Sequence, residues 1–293
     1  MTIRLLDGGM GQELYRRAGR PPAGWSVFDN VTRQDDVRTL HEEFLAAGAD
    51  VITTNTYGAG RHKLNLAGAP ERFAEVNRAA CSAAEAARDR VNPAALIAGA
   101  LGPLRGSYQP DAVPPSDLAE AEYAEQALVL APHVDLFICE TMTMGREARA
   151  AARAAASTGR PVWVAFTLHE DGSALRSDEP VRLAVRALQD VAVDAVLFNC
   201  TSPEAVGRAL PELVAASAGR AVGGYANGFE AIPAEYGHGK SVADLDARQE
   251  MTPDAYAEHV AAWLDAGATI VGGCCEVGPA HIARVKVLIG ERQ

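Results

Sequence analysis

Three of the five cysteines sit where soft-metal chemistry would need them. Cys200 ends the apolar run Val196-Leu197-Phe198-Asn199, and Cys274 and Cys275 end the run Ile270-Val271-Gly272-Gly273. Adjacent cysteines at a strand's carboxyl end, with a third far upstream, are poor disulfide material. They suit zinc, which takes thiolate sulfur at about 2.3 Å in tetrahedral geometry and in catalytic sites keeps one position open. Cys81 and Cys139 read instead as small buried hydrophobes, the common fate of a lone free cysteine.

Three thiolates meet on one ion only if the fold brings the two run ends together, as an α/β barrel does for its sixth and eighth strands. Eight short runs qualify as strands: Ile3–Leu6, Val51–Thr54, Leu96–Ala100, Leu136–Cys139, Val162–Thr167, Ala195–Asn199, Ala221–Tyr225 and Thr269–Gly273. They lack strict apolar–polar alternation, as strands buried on both faces do. Between them lie Ala-rich amphipathic stretches at Asp36–Ala47, Pro70–Arg90, Ser116–Leu130, Arg146–Ser157, Pro180–Gln189, Pro203–Ala216, Pro253–Ala266 and Pro279–Leu288. Several start at Pro or after Ser, Thr or Asp, as helices do. Leu45-Ala46-Ala47-Gly48-Ala49-Asp50-Val51-Ile52 recurs in kind as Leu264-Asp265-Ala266-Gly267-Ala268-Thr269-Ile270-Val271, a helix closed by Gly and turning straight into a strand. The expected fold is α/β, a (β/α)8 TIM-type barrel spanning residues 1–293 as one domain, with a doubly wound open sheet as the alternative.

Barrels keep their working residues at the carboxyl ends of strands. Those positions hold Asp7, Gly8 and Gly9, then Thr54 and Asn55, Gly102, Glu140, His169, Asn199 with Cys200, Tyr225 with Asn227, and finally Cys274 and Cys275. Two acids in one barrel mouth, Asp7 and Glu140, suit the ammonium of an amino-acid substrate, and Gly8 and Gly9 permit close backbone approach. The expected substrate-binding set is Asp7, Gly8, Gly9, Thr54, Asn55, Glu140, Asn199, Tyr225 and Asn227. His41, His133 and His281 read as packing, capping or solvated residues, and His169 and His238 as loop residues nearer the working face. The stretch from Ala226 to Glu250 has no clear periodicity, and such long loops are usually functional or mobile.

Composition excludes several classes. The 293 residues carry a net charge of −11 with Lys and Arg scattered, which argues against nucleic-acid and basic membrane-surface partners. No apolar run approaches the roughly 18 residues of a membrane span. The amino terminus is too short in its apolar part for a signal peptide. An odd cysteine count does not suit a secreted disulfide framework. A cytoplasmic protein acting on small molecules is expected, with its oligomeric state open.

The segments Asp7-Gly8-Gly9-Met10-Gly11, Ala49 to Tyr57, Asn199-Cys200-Thr201 and Gly272-Gly273-Cys274-Cys275 resemble the signatures of homocysteine S-methyltransferases, from Leu6 to about His281. The resemblance implies one zinc per chain on Cys200, Cys274 and Cys275, and the amino group of homocysteine on Asp7 and Glu140. It also implies a methyl donor drawn from S-methylmethionine, S-adenosylmethionine, betaine or, through cobalamin in larger proteins, methylfolate. Two positions depart from the family pattern: Ala226 replaces the usual Pro before Asn227, and Glu276 follows Cys275. A sulfonium donor and homocysteine form the expected pair. Alternatives are another thiol or selenol acceptor, a corrinoid partner as donor, and a non-catalytic amino-acid-binding barrel with structural zinc.

Overall fold

A computed structural model describes residues 2–19, 26–233, 236 and 245–292, so Gly237, His238 and Gly239 lie outside the described residues. Eight parallel strands run β1 Arg4–Leu5, β2 Val51–Thr53, β3 Leu96–Leu101, β4 Leu136–Met142, β5 Val162–Phe166, β6 Ala195–Asn199, β7 Ala221–Ala226 and β8 Ile270–Gly273. Each pairs with its sequence neighbour and β8 pairs with β1. A parallel bridge between Leu6 and Val51 joins β1 to β2 and completes the ring. This is the (β/α)8 barrel the alternation predicts, and the open-sheet alternative falls away.

The missing apolar–polar alternation has its reason in two cores. Leu6, Val51, Ala98, Ala100, Ile138, Ala165, Leu197 and Ile270 fill the barrel interior. Their chain neighbours Leu5, Ile52, Ile97, Phe137, Val164, Val196 and Val271 face outward into the layer shared with the helices. Both faces exclude water, so both are apolar.

One device repeats at the amino-terminal end of the barrel. Asp50, Asp135 and Asp194 each immediately precede an even-numbered strand. Their backbone N–H groups donate to Leu5, Ile97 and Val162 carbonyls at 2.7, 2.9 and 2.8 Å. Their carboxylates accept the N–H of those same three residues at 2.9, 2.8 and 2.9 Å. Thr269, before β8, makes the backbone half of the pattern to Val222 at 2.8 Å. The pairs fix the stagger of neighbouring strands and hence which residues reach the opposite end.

The helices depart from expectation mainly at their margins. The helix expected from Asp36 runs Gln34–Ala46, and that expected at Pro180–Gln189 is only Val181–Arg186. Pro70–Arg72 is a 3₁₀ turn, with the α-helix starting at Phe73 and ending at Val91. Helices at Met10–Ala18 and Arg61–Leu66 were not expected. Their buried faces are too small to show a stripe: Met10, Glu13 and Leu14 in the first, Leu64 alone in the second. No helix among the described residues is long and apolar enough to cross a membrane.

Removing one of the aspartate caps tests the strand-stagger role. Asp194→Ala leaves the Val162 N–H without its acceptor and is expected to lower unfolding free energy by about 1 kcal/mol in urea titrations. Asp194→Asn keeps an acceptor oxygen and is expected to lose less.

Candidate metal centre and amino-acid cavity

A cavity of about 100 Å³ opens at the carboxyl ends of the strands. Asp7, Gly8, Gly9, Thr54, Asn55, Glu140, Tyr225 and all three metal-candidate cysteines contribute to its wall. The Sγ atoms of Cys200, Cys274 and Cys275 lie within 4.8 Å of one another. Sulfurs around a tetrahedral zinc with bonds of about 2.3 Å stand roughly 3.8 Å apart, so the donor set fits this ion. No fourth Cys, His, Asp or Glu among the described residues joins the cluster. Cys139 is buried on β4 outside it, and Cys81 is buried on the Phe73–Val91 helix.

Cys200 and Cys274 face each other with Cα atoms 5.9 Å apart, and Cys275 stands beside them. Convergence that serves a metal equally permits oxidation of two of its ligands, and a metal requires the pair in its reduced, thiolate form. Burial, with the nearby charges of Glu276 and Glu140, pushes the Cys275 thiol up to about 12. A bound cation reverses that preference, because a coordinating thiol is deprotonated.

Gly8 and Gly9 line the cavity, and they also let the loop after β1 lie against the cysteine turn. A Cβ on Gly9 would stand 2.6 Å from the Cys274 carbonyl oxygen and 2.9 Å from the Cys275 Cα, and one on Gly8 would collide with the Val277 carbonyl. Their missing side chains therefore serve protein-to-protein approach as well as access to the cavity.

The carboxylates are held individually. Asp7 accepts from the Thr53 N–H at 2.7 Å and the Thr53 hydroxyl at 2.9 Å. Burial still raises the Asp7 carboxyl to about 7, with the charge of Glu140 adding to the effect. Glu140 accepts from the Tyr225 hydroxyl at 3.1 Å. Burial pushes it up to about 7 as well, against that hydrogen bond and the charge of Lys63. Lys63 sits 4.6 Å from the Tyr57 ring centroid, outside the cavity wall.

Asn199 and Asn227 are not part of the wall. Asn199 is fully buried, and its carboxamide oxygen accepts from Thr141 N–H at 2.8 Å while its amide donates to Thr141 Oγ1 at 3.0 Å. Asn227 accepts from Phe229 N–H at 3.2 Å and so starts the loop after β7. That loop returns through a bridge between Phe229 and Ala247, with Glu230 N–H donating to Asp246 O at 2.9 Å. Thr54 shares a hydrogen bond with Thr56 at 2.8 Å, and Asn55 donates to Asn30 Oδ1 at 2.9 Å. His169 pairs with Asp178, His133 with Glu85, and His281 caps the Gly278 N–H. His41 is fully buried with neither ring nitrogen bonded to protein. None of these four histidines lines the cavity.

Reading the sequence alone misses the cavity residues Thr53, Tyr57, Ser107, Tyr108 and Tyr236, all but Tyr236 standing at a strand's last residue or within seven positions past it. Tyr236 arrives from the loop after β7 and meets Tyr108 edge to face at 5.7 Å between centroids. Thr53 and Tyr57 carried a signal, since both flank the quoted Thr54-Asn55-Thr56 segment. Tyr108 and Tyr236 carried none, because nothing local distinguishes a loop tyrosine that points at a metal site.

The sequence profile of the homocysteine S-methyltransferase family matches residues 4–289. Homocysteine S-methyltransferase 4 of Zea mays is 26% identical over 99% of this chain and 90% of its own length. Methionine synthase of Mycobacterium tuberculosis is 28% identical over 98% of this chain, which spans only 24% of that protein. Among solved structures, the homocysteine methyltransferase MmuM from Escherichia coli in its metallated form superposes with a TM-score of 0.82 and 26% identity, covering 98% of this chain and 96% of that one. Its oxidized form gives 0.81 at 25% identity.

The cysteine cluster is tested by its metal stoichiometry. Protein purified under reducing conditions is expected to bind one zinc per chain, by atomic absorption. Cys275→Ser is expected to weaken binding well over tenfold, whereas Cys81→Ser is expected to bind as the parent does.

Proposed function

Because this chain belongs to the homocysteine S-methyltransferase family, we propose that residues 1–293, acting as one barrel domain, transfer a methyl group from a sulfonium donor to the thiol of homocysteine, giving methionine. S-methylmethionine and S-adenosylmethionine are the donors of this class. The observation that carries the reading is the charge of the cavity. Two carboxyls and three thiols line it, and no Lys, Arg or His among the described residues does. Cations from outside favour the ionised form of such a wall, and the proposed ligands supply three: a zinc ion, an ammonium and a sulfonium.

Zinc on Cys200, Cys274 and Cys275 would supply a sulfur nucleophile at neutral pH, where a free thiol with a pKa of about 8.5 is mostly protonated. The protein's own groups do the rest. Asp7 and Glu140 take the substrate ammonium, with Thr53 orienting the first and Tyr225 the second. The rings of Tyr57, Tyr108, Tyr225 and Tyr236 give the wall aromatic faces, which attract a cationic donor. In the transfer, the bond from the methyl carbon to the donor sulfur breaks, and its electron pair leaves that sulfur as a neutral thioether. The acceptor sulfur forms the new bond to carbon. No protein base is needed once the acceptor thiol has lost its proton.

An anionic methylfolate fits this wall less well than a sulfonium. A second reading, with a corrinoid partner as donor, draws on the match to one quarter of a methionine synthase. Methionine formation from homocysteine with each donor in turn separates them: S-methylmethionine or S-adenosylmethionine is expected to support turnover, and turnover with methylcobalamin alone would favour the second reading.

The raised carboxyls set a pH dependence. Asp7 and Glu140 hold an ammonium only when ionised, and each ionises near 7 rather than near 4. The value of kcat/KM for homocysteine is therefore expected to rise with pH between about 6 and 7.5 and then level, with the donor's kcat/KM less affected. Glu140→Gln is expected to raise the homocysteine KM by roughly 10- to 100-fold, the worth of one charged hydrogen bond.

A further inference from the structure

The β4 strand breaks step at its carboxyl end. Cys139 pairs with Val164 and Met142 with Phe166, so three steps along β4 match two along β5. Glu140 and Thr141 occupy this bulge. Ile138 faces the barrel interior and Cys139 the outer layer, and Glu140 turns inward again to the cavity. Without an extra residue Met142 would also face inward, yet it packs in the outer layer. Thr141 absorbs the difference at φ 60°. A β-branched residue in the left-handed region is a steric outlier that persists only when its surroundings hold it there.

What holds it is Asn199. The side chain spends both ends of its carboxamide on Thr141, accepting from the backbone N–H at 2.8 Å and donating to the hydroxyl at 3.0 Å. Aspartate lacks the donor, and alanine lacks both groups. Thr167, at the end of the intervening β5, ties the same region. Its N–H donates to Met142 O at 3.0 Å and its hydroxyl to Cys200 O at 3.2 Å. The result is a dry knot: Thr141, Thr167 and Asn199 are fully buried. Bulges re-aim side chains next to active sites, and this one aims Glu140.

Asn199 directly precedes Cys200, and Thr141 directly follows Glu140. One side chain therefore couples the residue proposed to hold the substrate ammonium to one proposed to hold the metal that receives the substrate sulfur. We propose that Asn199 is a positioning residue that sets the separation between the Glu140 carboxylate and the Cys200 sulfur, and with it the length of amino thiol the cavity accepts. The inference rests on the homocysteine reading above. Homocysteine and cysteine differ by one methylene between amine and sulfur, so a fixed separation suits one and not the other. A rigid site discriminates such a pair by about 10- to 200-fold, whereas slack in the clamp erases the difference.

The test compares the parent with Asn199→Ala, Thr141→Val and Thr141→Ser, each reduced and loaded with zinc. Zinc content, calorimetric affinity for homocysteine and for cysteine, and steady-state constants for both substrates are measured. Asn199→Ala is expected to retain one zinc and the parental donor KM. Its homocysteine affinity is expected to fall at least tenfold, and its preference for homocysteine over cysteine to fall by a similar factor. Thr141→Val, which keeps the backbone half of the clamp, is expected to move the same way by less and decides the matter if Asn199→Ala does not fold. Thr141→Ser keeps both hydrogen bonds and is expected to match the parent. Folded, zinc-loaded variants with an unchanged homocysteine-to-cysteine ratio overturn the inference, as does loss of zinc in place of loss of discrimination. A zinc-loaded parent that binds neither amino thiol overturns the homocysteine reading itself, and this inference with it.

Discussion

A wall that gathers two carboxyls and three thiols, with no cationic side chain in its described part, ionises far more readily when cations enter it. That constraint governs the rest of the site. Burial, joined at Asp7 and Cys275 by neighbouring carboxylates, holds Asp7 and Glu140 near 7 and the Cys275 thiol far above neutrality. Cations that enter the cavity favour the ionised forms of these acids, so their binding is linked to proton release. Cationic ligands are favoured over neutral ones, and anionic ones are disfavoured, before any shape complementarity is considered. Lys63 stands close enough to influence Glu140 without neutralising the wall.

Bringing those acids together is the work of the barrel. Cys200 follows β6 and the cysteine pair follows β8, with β7 between them, while Asp7 follows β1 and Glu140 lies on β4. The aspartate pairs at the opposite rim fix the stagger of β1 with β2, β3 with β4 and β5 with β6. At the working rim the chain departs from regular geometry. Thr141, Cys200 and Glu276 all take positive φ, at 60°, 49° and 64°. Each adjoins or is a residue of the site, and such strain is stable only on a rigid support.

Much of this was legible in the sequence because barrels translate strand ends into function. The eight apolar runs and their Gly-closed helices announce the fold, and Cys200, Cys274, Cys275, Asp7 and Glu140 all stand at strand ends. Asn199 and Asn227 stand there too, yet point away from the cavity. A strand-end position does not determine the side of the sheet a residue faces once a bulge or turn intervenes, and that depends on contacts distant in sequence. Asn199 meets Thr141 across 58 residues, a relation no local pattern encodes. Tyr108 and Tyr236 were illegible for the same reason, since each reaches the site from a loop. The short helices Met10–Ala18 and Arg61–Leu66 bury too little to leave a periodic trace.

The central claim is that three cysteine sulfurs hold a zinc whose remaining position accepts the substrate sulfur. X-ray absorption at the zinc edge of the reduced, zinc-loaded protein, before and after addition of homocysteine, addresses it most directly. The account predicts three sulfur neighbours and one lighter atom at rest, becoming four sulfurs with homocysteine. A shell of four sulfurs before addition, or one of three that homocysteine leaves unchanged, would contradict it.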